Sequence, residues 1–141
     1  MSDFEFIGKY ISFLYRYELI YLDKELEPYN IKSGHFFVLM PLFKNDGINQ
    51  ESISQIIHVD KATVTRAIQK LIDEDYVYRE RDEKDKRSYR VFITEKGKAI
   101  QPEIISIAQR WDDILLSQLV KDQRNMIKKS FDTMIENVSR D

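Results

Sequence analysis

The side chains best suited to chemistry lie between residues 60 and 98, and what they suit is hydrogen bonding to a polyanion. Thr63, Thr65 and Arg66 stand close together, followed by Gln69 and Lys70. Hydroxyls bond to bases or phosphates, and an arginine pairs with guanine in a two-pronged contact. Further along come Lys84, Asp85, Lys86, Arg87 and Arg90. Residues 84–98 hold six basic groups against two acidic ones, a net of +4, whereas residues 1–30 carry −3 and the whole chain −2. A basic strip on an acidic chain is a candidate phosphate-contacting surface, or else the solvated tip of a hairpin.

Bond-making chemistry has little to draw on. The chain has no cysteine, which excludes a thiolate nucleophile, a disulfide framework and cysteine-ligated zinc. Its two histidines, His35 and His58, are too far apart in sequence to make a zinc signature. There is no glycine-rich phosphate loop, no Gly-x-Ser-x-Gly elbow and no metal-spaced carboxylate cluster. We expect no enzyme activity, no metal and no cofactor.

The elements that must position these residues can be read from spacing. Phe4, Ile7, Tyr10, Ile11, Leu14 and Tyr17 recur at helical intervals, and Phe6, Phe13, Leu19, Ile20 and Tyr21 add apolar groups off that stripe. The spacing predicts a helix over residues 4 to about 27, apolar on more than one face and stopped by Pro28. Ser33 is the expected cap of a second helix reaching Lys44, with Pro41 a kink. Asn45-Asp46-Gly47 is a turn, Ile48 a short strand, and Asn49 the cap of a third helix. His58-Val59-Asp60 is a tight turn, and Asp60 caps a fourth helix over about 61–74 with Val64, Ala67, Ile68, Leu71 and Ile72 inward. The period then changes. Residues 76–81 and 89–94 read as strands around a charged tip, 82–88. Thr94 caps a helix carrying Ile100, Ile104, Ile107, Ala108, Trp111, Leu115 and Leu119, with Pro102 expected near its first turn. A last helix covers about 122–138.

Helix, helix, helix, strand, charged hairpin, strand is the order of a winged helix-turn-helix. The fold expected is mainly α with a small β-hairpin wing, flanked by long N- and C-terminal dimerisation helices. In such a fold the helix after the tight turn enters the major groove with its N-terminal half. The hairpin reaches phosphates or the adjacent minor groove. A first segment apolar on several faces suggests burial by a second copy. The alternative is a winged-helix module that binds protein and not DNA, since fold does not fix function. Asp3 and Glu5 argue against a secretory leader, and no apolar run approaches the ~20 residues of a membrane span. A cytoplasmic protein is expected.

The run from Glu51 through Leu71, then Asp75-Tyr-Val-Tyr-Arg79, then Asp82 to Gly97, resembles the MarR (multiple antibiotic resistance regulator) family. That family's wing carries Asp-x-Arg at its tip, then a strand ending in Leu-Thr, then a glycine. Asp85, Arg87, Thr94 and Gly97 stand in those places, with Ile93 for the leucine. The resemblance implies a single domain over 1–141, with a DNA-binding lobe at about 31–98 and dimerisation helices at about 1–30 and 99–141. It implies a homodimeric, sequence-specific regulator of transcription, a repressor, on a pseudo-palindromic double-stranded operator. Thr63, Thr65 and Arg66 would face the major groove, and Arg87 would enter the minor groove, held by Asp85. Otherwise Asp85 and Arg87 form an exposed ion pair worth about 0–1 kcal/mol. The resemblance also implies a small aromatic effector. Tyr10, Phe13, Tyr17, His35, Phe36 and Met40, with Phe37, are the candidate lining, unless these side chains are ordinary core.

Overall fold

The computed structural model describes residues 6–139. Phe4, assigned to the first helix from its spacing, lies outside the described residues. The chain divides into two compact units, Met1–Ala108 and Gln109–Asp141.

In the first unit, α1 (Ile7–Leu26) runs into a short 3-10 turn, Glu27–Tyr29, that contains Pro28. Only Leu22 and Leu26 of α1 are buried; its N-terminal apolar residues stay in solvent. The next helix, α2 (Ser33–Lys44), corrects the expected cap. Ser33 lies inside the first turn, buried, with its N–H on the Asp23 Oδ1 of α1 at 2.8 Å. The cap position is Lys32, whose N–H donates to His35 Nδ1 at 2.8 Å. The Asp23 carboxylate takes the N–H of Ser33 itself, and the N–H groups of His35 and Phe36 go to the Lys32 carbonyl, so the helix starts one residue earlier than a Ser33 cap would place it. Pro41 remains within α2.

Residues Ile48–Asn49 form β1, and α3 (Gln50–Ile57) follows with the Glu51 N–H on Asn49 Oδ1 at 2.9 Å. His58 closes α3 in the left-handed region at φ 57°. Then come α4 (Lys61–Asp73), β2 (Val77–Arg81) and β3 (Tyr89–Ile93). The sheet is antiparallel in the order β1-β3-β2, with Val77 opposite Ile93, Arg79 opposite Val91 and Ile48 opposite Val91. Val77, Val91 and Ile93 are buried, joined by Leu39 and Leu42 of α2, Ile53 of α3, and Val64, Ile68 and Leu71 of α4. Ile104 and Ile107, from the first part of α5 (Glu95–Leu115), complete this core. Pro102 sits well inside α5 and not near its first turn. Lacking an N–H, it costs the helix one hydrogen bond there.

The junction between strand and helix is tightly tied. Thr94 donates its N–H to the Tyr76 carbonyl at 3.1 Å and its hydroxyl to the Asp75 carbonyl at 2.6 Å. The same hydroxyl accepts the Gly97 N–H at 3.0 Å, which makes Thr94 the cap the sequence suggested. Lys96 Nζ donates to the Glu74 carbonyl at 2.8 Å, at the end of α4. A Cβ on Gly97 would overlap the Tyr76 carbonyl oxygen and come within 2.6 Å of Ile93 Cγ2. Because the obstacle is backbone, it cannot swing aside. Gly97→Ala is therefore expected to destabilise the protein by about 1–3 kcal/mol, the usual range for overpacking. Urea unfolding monitored by circular dichroism measures this, and an unchanged midpoint would contradict it.

In the second unit α5 ends at Leu115, so Leu119 lies beyond it in the turn and not on the helix as its spacing suggested. Arg124 closes that turn, its guanidinium donating to the carbonyls of Leu116 and Leu119, both at 3.0 Å. The last helix, α6 (Lys121–Val138), has no buried residue. Met126, Phe131, Met134, Ile135 and Val138 are exposed. Among the described residues, no helix is long and apolar enough to cross a membrane.

Candidate nucleic-acid interface

The pair α3 and α4, joined through His58-Val59-Asp60, forms the helix-turn-helix. Its second helix is fixed at its start by Asp60, which accepts the Thr63 N–H at 3.0 Å and the Thr63 hydroxyl at 2.6 Å. Those bonds from Thr63, the side-chain one foremost, hold the Asp60 carboxyl below the ordinary carboxylate range. Thr63 Oγ1 in turn accepts from Arg66 Nη2 at 3.2 Å. Asp60, Thr63 and Arg66 thus form a chain along the exposed edge of α4. It draws the guanidinium toward the N-terminal half of the helix, the part that meets base edges in this fold.

Thr65 is exposed, yet its hydroxyl is committed. It donates to the Lys61 carbonyl at 2.8 Å and accepts from Gln50 Nε2 at 3.0 Å. Further along, Gln69 donates to Asp73 Oδ1 at 3.0 Å and Lys70 Nζ meets Glu74 Oε1 at 3.0 Å. Both ends are turned toward the C-terminal end of α4. The structure therefore separates Gln69 and Lys70 from the trio Thr63, Thr65 and Arg66.

The wing tip is built around two aspartates. Asp82 Oδ1 accepts the N–H groups of Lys84 at 2.8 Å and Asp85 at 3.3 Å, bonds that keep its carboxyl below the ordinary range. Asp85 Oδ1 accepts the Arg87 N–H at 3.1 Å and lies 3.5 Å from Arg87 Nε. Asp85 thus shapes the tip backbone and orients the arginine, whose side chain is 95% exposed. Lys84 and Lys86 are exposed as well. Below the tip, the Arg79 and Arg81 guanidinium groups lie 4.9 and 5.4 Å from the centroid of the Tyr89 ring. Arg81 also donates to the Lys86 carbonyl. Arg87, Ser88 and Tyr89 line one cleft with Gln50, Glu51, Ser54, Lys61, Val64 and Thr65. The wing and α4 therefore face a common opening.

Not every basic residue of the strip is available. Arg90 Nε donates to the Gly47 carbonyl at 2.7 Å, and its guanidinium lies 5.4 Å from the Phe92 ring. It braces the turn before β1. Lys96 is committed to the end of α4 and Lys98 lies 3.6 Å from Glu95. Gln50 was missed by sequence reasoning. It is the first residue after the Asn49 cap, and nothing local signals that it reaches Thr65.

The candidate effector residues do not line one common cavity, although Phe37 shares one depression with His35 and another with Met40. Phe36 is in the core, set edge-on to Phe37 with ring centroids 5.4 Å apart. Met40 lines a depression with Pro41, Phe43 and Ile56, while His35 lines others. Phe13 and Tyr17 share a shallow depression with Arg16 and Ile20, and Tyr10 is exposed further along α1. Apolar spacing marks a face, but not what each residue on it meets. His35, kept toward its neutral form chiefly by burial and then by Lys70 and Lys32, lies in the first turn of α2 and accepts the Lys32 N–H there.

Comparison with known proteins agrees with this architecture. The MarR family profile matches residues 31–89. The transcriptional regulator SarZ of Staphylococcus aureus (strain MRSA252) is 30% identical over 138 residues, covering 94% of this chain and 85% of SarZ. The crystal structure of a MarR transcriptional regulator from Methanosarcina mazei Go1 is 56% identical, with a TM-score of 0.87 over 93% of this chain and 94% of that one. A MarR-family regulator from Listeria monocytogenes, solved with a 26mer DNA, is 25% identical with a TM-score of 0.90, over 95% of this chain and 89% of its own. These relatives are regulators of transcription and not enzymes, and this chain belongs to the MarR family.

Proposed function

We propose that the chain is a cytoplasmic repressor of transcription that binds double-stranded DNA as a homodimer on a pseudo-palindromic operator. The observation that carries this reading is the shared opening of α4 and the wing. Lys61 and Thr65 of α4 line one cleft with the exposed Arg87 of the wing, and Thr63 and Arg66 are exposed on the same N-terminal half of α4. The similar Listeria protein, solved with DNA, supports it.

The homodimer is supported by apolar surface that each unit leaves uncovered. Phe6, Ile7, Tyr17 and Ile20 of the first unit are more than half exposed, as are Ile114, Met126 and Val138 of the second. Apolar side chains left uncovered along long helices are candidate association surface. Two-fold symmetry then sets half-sites about one helical turn, ~10 bp, apart. A small aromatic effector is part of this reading, and the depression that Phe13 and Tyr17 line with Arg16 and Ile20 is a place for its ring.

Selection from a pool of randomised duplexes, followed by gel shift and sedimentation, tests the reading. A palindromic consensus bound by a dimer is expected. A stable monomer at micromolar concentration, or no enrichment of any sequence, would overturn it. Within that consensus, Arg66→Ala is expected to lose about 1–3 kcal/mol of discrimination at one base of each half-site. Equal weakening on all sequences would make Arg66 a phosphate contact instead.

A further inference from the structure

The hydroxyl of Thr65 is engaged on both sides, by the Lys61 carbonyl at 2.8 Å and by Gln50 Nε2 at 3.0 Å. Its only hydrogen is used, and its remaining lone pair could serve only a donor. Beside that lone pair, what this exposed side chain has left to offer is its methyl group. In the major groove the one apolar feature of a base pair is the thymine 5-methyl. Building on the DNA-binding reading above, we propose that Thr65 is a specificity-determining residue that reads thymine through methyl contact. On this proposal Gln50 is the positioning residue that keeps the hydroxyl occupied.

The neighbouring geometry makes the assignment selective. Thr63, two residues earlier, also has its hydroxyl engaged, donating to Asp60 and accepting from Arg66. That chain serves to aim Arg66. Thr65 supports no such partner on its outer side. The two threonines, alike in sequence, therefore divide into an orienting residue and a reading residue. A Thr65 hydroxyl that donated to a base would first have to give up its bond to the Lys61 carbonyl, whereas a methyl contact leaves both bonds intact.

The proposal predicts opposite behaviour for two substitutions of similar size. Thr65→Val keeps the methyl and loses the hydroxyl; Thr65→Ser does the reverse. Wild type and both variants would be offered a randomised duplex pool containing thymine, and the same pool with uracil in its place. Wild type and T65V are expected to enrich thymine at one symmetric position. T65S is expected to lose that preference, and no protein should enrich uracil there. On single duplexes carrying the selected sequence, replacing that thymine by uracil should weaken wild type and T65V about fourfold per methyl and T65S hardly at all.

Enrichment of thymine by T65S, its loss in T65V, or a preference that survives in uracil would each overturn the methyl-reading assignment while leaving DNA binding standing. So would a wild-type consensus without a thymine of this behaviour. If wild type enriches no sequence, the DNA-binding reading falls, and the Thr65 assignment with it. Circular dichroism confirms that T65V and T65S are folded, which the exposed position leads us to expect.

Discussion

Arg87→Ala is expected to weaken operator binding about 10²–10⁴-fold, with the fold and the dimer unchanged. Each of two wings would lose a charged hydrogen bond worth about 1.5–3 kcal/mol. The hairpin cannot share the major groove with α4, so on the proposed binding mode its tip lies over the adjacent minor groove or its phosphates, where a planar cation is favoured. The fold has little to lose from the change, because the side chain is 95% exposed and its one ion pair is the 3.5 Å contact to Asp85. Arg87→Lys should recover part of the affinity, keeping the charge without the fork. Asp85 needs two substitutions, since it accepts the Arg87 N–H at 3.1 Å as well as facing Nε. Asp85→Asn can keep the backbone bond and release the arginine, while Asp85→Ala also loosens the tip. The expected order of affinity is wild type, Asp85→Asn, Asp85→Ala, Arg87→Ala. Fluorescence anisotropy on one operator at one salt concentration measures it. Wild-type affinity in a folded Arg87→Ala protein would remove the wing from the interface.

Salt should act on a similar scale if the tip cations meet phosphates. Lys84, Lys86 and Arg87 are the exposed basic groups of each wing whose side chains no backbone carbonyl holds, among the described residues. Two wings then supply about six phosphate contacts, which predicts a loss of about 10³-fold between 50 and 200 mM monovalent salt. The estimate leaves out Arg90, Lys96 and Lys98, each committed within the protein. A slope near zero in log affinity against log salt would contradict a phosphate-bound wing. A loss well above the expected one would mean that further cations reach the backbone.

Local polar signals served the sequence well. Asn49, Asp60 and Thr94 each stand just before an apolar-periodic run, and each caps the helix that follows. A cap needs only neighbours in sequence, so spacing suffices to find it. Ser33 carried the same signal, but Asp23, ten residues earlier on another helix, takes its N–H. The need for a small residue at 97 came through the family's wing signature, and the structure supplies its physical cause in the Tyr76 carbonyl. Residue types alone could not divide the labour within the interface. Thr63 and Thr65 look equivalent in sequence, and Arg90 looks as available as Arg87. Their difference lies in partners at Asp60, Gln50 and Gly47, which only the folded chain brings near.

The ties at Thr94, Lys96 and Gly97 have a mechanical consequence. They join the end of α4, the base of the wing and the first turn of α5 through backbone carbonyls at Glu74, Asp75 and Tyr76. Side chains can rotate, but a knot of main-chain acceptors gives little. The two DNA-facing parts thus behave like a caliper with welded jaws: tilting the start of α5 carries both together and leaves their gap unchanged. On the proposed binding mode, the span within one half-site between the bases met by α4 and the groove met by the wing is then a constant of the fold. A one-base insertion there should be as damaging as losing the half-site, whereas tolerance for altered spacing can exist only between half-sites.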